Sequence, residues 1–231
     1  MKLAHPANAF SRLRCLGLGL GLTMLAANAT AQSLEPRAYA NTPVGMNFAL
    51  VGYAHTDGSV STDAASPIQD AQVQTDTAVL GYSRAFGLWG TSGKLAFVEG
   101  EAWVSGSAKA AGQPRSRSVN GLTDPLLRGS INLYGAPALT MKEFPDYQQD
   151  LIIGMSLYVT APLGDYDSSK LLNIGNNRWS FKPEVGFSQA YGKFTFDLMP
   201  AVTFFTDNND FLGQTRGQDP LFSLQGHVIY S

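Results

Sequence analysis

A single cysteine, Cys15, stands in the 231 residues, so the chain has no internal disulfide to hold it together. Histidine is nearly as scarce: three in all, of which only His55 and His227 lie past residue 31. That leaves little material for a hydrolytic site built on a histidine base. Charged residues make up 15% and the net charge is −2, so no basic surface is available for nucleic acid. No uninterrupted apolar run reaches the roughly 20 residues that a membrane-spanning helix requires. A mean hydropathy of −0.06 likewise excludes a bundle of such helices. Gly (24 residues) and aromatics (11%) are plentiful.

Two long alternating runs, joined at Tyr191-Gly192, dominate the C-terminal half. The first sets Trp179, Phe181, Pro183, Val185 and Phe187 against Ser180, Lys182, Glu184, Gly186 and Ser188. The second sets Phe194, Phe196, Leu198, Pro200, Val202 and Phe204 against Thr195, Asp197, Met199, Ala201 and Thr203. A period of two gives a strand one apolar and one polar face. Both runs exceed the ~5–6 residues of an ordinary strand and match the ~9–11 of a membrane-spanning one. The aromatic face suits lipid and the charged face a lumen. The sequence therefore predicts an all-β fold, an antiparallel up-and-down transmembrane β-barrel. A soluble β-sandwich or barrel shares the composition but has no reason to share the features that follow.

The N-terminus addresses the chain. Lys2, His5, Arg12 and Arg14 form a basic region, Cys15 to Ala27 an apolar one too short to span, and Ala29-Thr30-Ala31 a small-x-small cleavage site. Residues 1–31 read as a secretory signal peptide and 32–231 as the barrel domain. The glycines from Gly17 to Gly21 belong to the signal and form no nucleotide loop. The arginines before Cys15 argue against a lipoprotein signal.

Eight strands are expected: Val44–Ala54, Gln74–Ala85, Lys94–Ser105, Pro125–Tyr134, Asp150–Thr160, the two runs of the hairpin, and Pro220–Tyr230. Gln32 to Thr42 reads as an irregular periplasmic lead-in. Connections after strands one, three, five and seven are long and polar, while those after two and six are short and that after four is intermediate. Outer-membrane barrels have short periplasmic turns and long outer loops, which fixes the orientation. Aromatics gather near both sets of strand ends, as in two girdles.

Tyr158 to Pro183 (YVTAPLGDYDSSKLLNIGNNRWSFKP) resembles the central signature of an outer-membrane transporter family assigned to the MetA pathway of phenol degradation. Phe204 to Phe211, Arg216 to Leu221 and Gly121 to Pro125 resemble it too, and the similarity runs from about Leu34 to the end. The resemblance implies a Gram-negative outer-membrane barrel that takes up small, often aromatic, compounds. It also implies further strands past Ser231, so the chain reads as a barrel truncated from a larger one, with its first and last strands unclosed. It carries over no catalytic residue.

Glu99, Glu101, Arg128, Tyr158, Lys182, Glu184 and Asp197 are the candidate lumen lining. Tyr53, Phe97 and Trp103 are candidate aromatic additions. A charge facing lipid at mid-depth costs about 2–4 kcal/mol for Lys or Arg, which favours an inward orientation. Either a selectivity lining for a solute or a neutralising salt-bridge network accounts for these charges. Ser223 lies two alternations from His227, too far for direct proton transfer, so no enzyme is predicted. Asp165, Asp167 and Asp207 to Asp210 lack the pattern of a calcium loop and read as solvated turns. No catalytic, cofactor or metal residue is assigned. The expected partners are outer-membrane lipid and a small-molecule solute, with no nucleic acid. A two-residue loop at Tyr191-Gly192 would place Pro183 opposite Pro200. The sequence thus points to a passive uptake channel, with a structural or adhesive barrel of plugged lumen as the alternative.

Overall fold

The computed structural model describes residues 35–60 and 68–231. Pro36–Ser231 forms one unit. The second, Met1–Glu35, falls outside the described residues but for Glu35, and with it the expected signal peptide and its cleavage site.

The described chain is almost wholly antiparallel sheet. Its strands are β1 (Asn47–Val60), β2 (Ile68–Leu88), β3 (Thr91–Ala110), β4 (Gln113–Leu122), β5 (Leu126–Tyr134) and β6 (Leu151–Thr160), followed by β7 (Ser180–Tyr191), β8 (Phe194–Phe205), β9 (Asn208–Phe211), β10 (Gln214–Arg216) and β11 (Leu221–Tyr230). Eight pair in the order β1-β2-β3-β5-β6-β7-β8-β11, each next to its chain neighbour apart from the outer hairpins. This is the expected up-and-down meander. Among the described residues β1 and β11 share no ladder, so the sheet is an open half-barrel.

The outer end is more structured than expected. β2 and β3 run to 21 and 20 residues, about twice what spans a bilayer. The lower part of β3 pairs with β5, from Gly93↔Ile131 to Val98↔Leu126. Its upper part pairs with β4, from Glu101↔Leu122 to Ala110↔Gln113. β4, β9 and β10 fall where polar loops were expected. Ala111-Gly112 and Leu212-Gly213 turn these hairpins, with positive φ at both residues of each pair, the signature of a tight type I′ turn.

Alternation sorts the side chains. One face carries Leu95, Phe97, Leu127, Leu157, Phe181, Phe187, Phe196, Leu198, Leu224 and Val228, all substantially exposed. On a soluble protein so large an apolar surface would be a liability; on a membrane strand it is the lipid face. Trp179 stacks on Phe181 at one edge of this face, and Phe194 meets Tyr230 edge-on at the other, beside the short β7–β8 turn. The other face carries Ser130, Asn132, Ser156, Glu184, Ser188 and Asp197, all buried.

The β7–β8 hairpin differs from the expected register. Its turn is Gly192-Lys193, and Tyr191 pairs with Phe194, Phe187 with Leu198, and Phe181 with Phe204. Gly192 has φ +58°, the conformation that a type II′ turn demands of its first central residue. A turn at Tyr191-Gly192 would have put tyrosine there instead. Pro183 and Pro200 are therefore not opposed.

Candidate functional site

The chain's own N-terminal segment covers part of the inner face. The expected irregular lead-in lies against the sheet, with Tyr39 only 3% exposed. Its ring lies on Gly154 and Gly186, which are direct cross-strand partners on β6 and β7. A Cβ at Gly186 would come within 2.0 Å of the Tyr39 ring, and one at Gly154 within 2.3 Å. Only paired glycines give an aromatic ring this seat. Ile152, Met199 and Ala136 complete a small apolar cluster around it.

Polar groups hold the segment in place. The Tyr39 hydroxyl donates to Glu184 Oε1 at 3.1 Å and accepts from Ser156 Oγ at 2.9 Å. Burial, above all, pushes the Tyr39 hydroxyl well above its ordinary value. Arg37 N–H donates to Asp197 Oδ2 at 2.8 Å, and Lys94 Nζ to the Ala38 carbonyl at 3.2 Å. Strands β3, β6, β7 and β8 thus each contribute to the seat.

Glu184 is the hub of the wall. It is 3% exposed, a costly place for a carboxylate without compensation. Tyr158 donates to its Oε1 at 3.2 Å, and Lys182 Nζ lies 3.7 Å from Oε2, an ion pair longer than a hydrogen bond. The two cations bracket Tyr158, Lys182 Nζ 3.8 Å from the ring centroid and Arg128 Cζ 4.8 Å from it, within cation–π range. Arg128 also donates to Ser156 Oγ at 3.2 Å.

Of the residues proposed for the lining, Arg128, Tyr158, Lys182, Glu184 and Asp197 share this face. Glu99 and Glu101 do not. They alternate with Ala96, Val98, Ala102 and Val104, and it is this small apolar set that faces in, since Ala96 pairs with Arg128. Glu101 is exposed on the face of Phe97 and Trp103. Glu99 Oε1 accepts from Gly100 N–H and Thr123 Oγ1, where β3 exchanges β5 for β4 as its neighbour. Both glutamates lie past Val98, the last residue of β3 paired with β5, so they stand at the outer interface, where a lipid-facing charge costs little. Tyr53, Phe97 and Trp103 likewise belong to the outer face.

The outer rim is a hydrogen-bonded network in which Asp165, Asp167, Asp207, Asn209 and Asp210 are exposed, as solvated turns would be, while Asn208 is buried. Asp124 accepts from Gly164 N–H at 3.0 Å and from Asn176 N–H at 2.7 Å. Asp165 Oδ2 accepts from Leu122 N–H at 2.6 Å. Asn208, 2% exposed, donates to the Tyr166 hydroxyl and the Asn176 carbonyl and accepts from Asn177. Arg178 bonds Gln218 in the loop before β11. Gly121 to Pro125, Tyr158 to Pro183 and Phe204 to Phe211, distant in the chain, meet here.

No curated protein matches the chain. Among solved structures it is similar to an outer membrane channel from Pseudomonas putida F1, at 23% identity and a TM-score of 0.63, over 86% of this chain and 71% of that one. That likeness is one of fold. Residues 52–230 match the model of the family described as "Putative MetA-pathway of phenol degradation", and the chain belongs to that family.

Proposed function

We propose that this chain forms an outer-membrane channel for passive entry of small, phenol-like aromatic compounds. The observation that carries the reading is the contrast between the faces. The outer face is an apolar band fit for lipid. The inner face is a polar wall in which Arg128, Lys182 and Glu184 surround Tyr158. Cations and hydroxyls at close quarters can order a polar aromatic solute by hydrogen bonding and cation–π contact without trapping it. The fold likeness to an outer-membrane channel and the family's link to phenol degradation support the same reading. Export through cleavage after Ala31 belongs to it, as do outer-membrane lipid and solute as partners.

The seated segment around Tyr39 favours a second reading, a structural barrel with its lumen filled. Liposome flux separates the two. The chain, as part of the longest natural polypeptide that contains it, is reconstituted, and phenol and benzoate entry is compared with empty liposomes. The channel reading expects entry above background, rising when Tyr39→Ala unseats the segment. A folded barrel with no entry in either form leaves the structural reading.

A further inference from the structure

The outer extension of the sheet carries an open pocket that the lining described above does not use. It holds about 390 Å³ and lies among Val73, Gly106, Ala108, Leu171 and Leu172, with Arg115 and Arg117 on its β4 side. Gly106 and Ala108 lie on the face of β3 that carries Lys94 and Ala96 lower down, and they pair with Arg117 and Arg115. The two arginines therefore share the inner face of β4, above the channel wall.

The wall is built rather than incidental. A Cβ at Gly106 would come within 3.0 Å of Leu172, so the missing side chain lets the loop approach the sheet. Arg117 Nε donates to the Leu172 carbonyl at 3.1 Å. Behind it the loop is tied internally: Asn173 Nδ2 donates to the carbonyls of Asp167 and Lys170, and Ser169 donates to Asp167 Oδ1. Arg117 is thus spent on holding Leu172. Arg115 is not: among the described residues no carboxylate pairs with it.

A pocket with apolar walls and the Arg115 guanidinium at its rim, with Lys170 also on its lining, suits a flat hydrophobic body carrying an anionic group. The volume falls within the range of small-ligand sites. Guanidinium matches a carboxylate in two-point geometry. We infer that this pocket is an entry-side binding site for small aromatic monocarboxylates, acids of one ring, captured before they reach Tyr158 and Glu184. The inference rests on the channel reading and adds a solute class to it.

The test titrates benzoate and phenol into the folded protein in detergent micelles by calorimetry. Strand circular dichroism and heat-modifiable gel mobility check the fold. Benzoate is expected to bind one saturable site. Arg115→Gln should weaken benzoate about tenfold, the scale of one charge-assisted hydrogen bond, and leave phenol nearly unchanged. Leu172→Asp should abolish binding of both, and Ala108→Trp, which fills the floor while keeping the charge, should do the same. No saturable benzoate binding, or an affinity unchanged in Arg115→Gln and Ala108→Trp, overturns the inference. Liposome flux without saturable binding removes the pocket and leaves the channel. Saturable binding without flux keeps the pocket and removes the channel.

Discussion

Pro183 on β7 and Pro200 on β8 sit diagonally either side of the Glu184–Ala201 pair and interrupt the same ladder twice. In this register the odd residues of β7 exchange hydrogen bonds with β8, because the even ones turn to β6, as Ala190 N–H does towards Asp150. Pro183 and Pro200 therefore each lack an N–H at a bonded position. Bridges are absent at Lys182, Pro183, Val185 and Gly186 and present at Glu184↔Ala201, a pair that needs only the proline carbonyls. The ladder is thinnest beside the buried carboxylate. Pro183→Val should restore an amide that bonds the Val202 carbonyl. The gain of about 0.5–1.5 kcal/mol is partly offset by the ~0.4–1 kcal/mol that proline contributes through the unfolded chain. The expected outcome is a stability change below about 1 kcal/mol, with the new amide strongly protected in hydrogen exchange. Rapid exchange there would contradict the register.

Gly186→Ala should unseat Tyr39. The new methyl cannot coexist with a ring 2.0 Å away, and overpacking of this kind costs about 1–3 kcal/mol. Trypsin should then cut after Arg37, a site the seated segment protects. Tyr39→Ala alone should expose the same site, and the double variant should lose less stability than the two single losses added together. Additive losses would show that the contact is not what holds the segment.

Charge reversal should divide the carboxylates and cations by face. Arg128→Glu is expected to shift the cation-to-anion preference of conductance across planar bilayers, since Arg128 stands on the inner wall. Glu101→Lys should leave the preference within about a factor of two, because its side chain points away from that wall. A larger effect from Glu101 than from Arg128 would reverse the assignment of faces.

Acid should loosen the outer loop late. Hydrogen bonds from the Ser169 side chain and then its backbone hold the Asp167 carboxyl below its ordinary value, with Lys170 and Arg117 assisting. A carboxyl depressed by folding stabilises the loop above its unfolded pKa, and that contribution disappears as pH falls through the lower, folded one. Protection of the Ser169 amide should hold from pH 7 to about 5 and fall only below about 4. Asp167→Asn should remove the pH dependence. Loss of protection near neutrality would point to another group.

Much of this architecture was legible because lipid imposes a strict period. Phe181 to Phe187 and Phe194 to Phe204 could be assigned to one face by alternation alone, and Lys182, Glu184 and Asp197 to the other. The same rule misled on β3, where Ala96, Val98, Ala102 and Val104 are as apolar as the residues opposite. There the inward set is chosen by what it packs against, and no local pattern carries that. β4 was invisible because its strand faces are polar, with Arg115, Arg117 and serines in place of hydrophobic alternation. Its ladder lies above the bilayer, where water relaxes the pattern. The seat of Tyr39 depends on Gly154 and Gly186, more than 100 residues onward, and single glycines in strands do not announce what they admit.

The seat of Tyr39 also sets an order in time. The segment that fills the inner face comes first in the chain, yet its hydrogen-bond partners Glu184 and Asp197 follow 145 and 160 residues later. Neither the glycine floor nor the buried carboxylate exists until β6, β7 and β8 have paired. The segment can therefore take its seat against the inner face only after those three strands are in place, a late event of assembly. An intermediate lacking β7 has neither Gly186 nor Glu184 to receive Tyr39, so its N-terminal segment should stay open to protease while that of the finished protein is held.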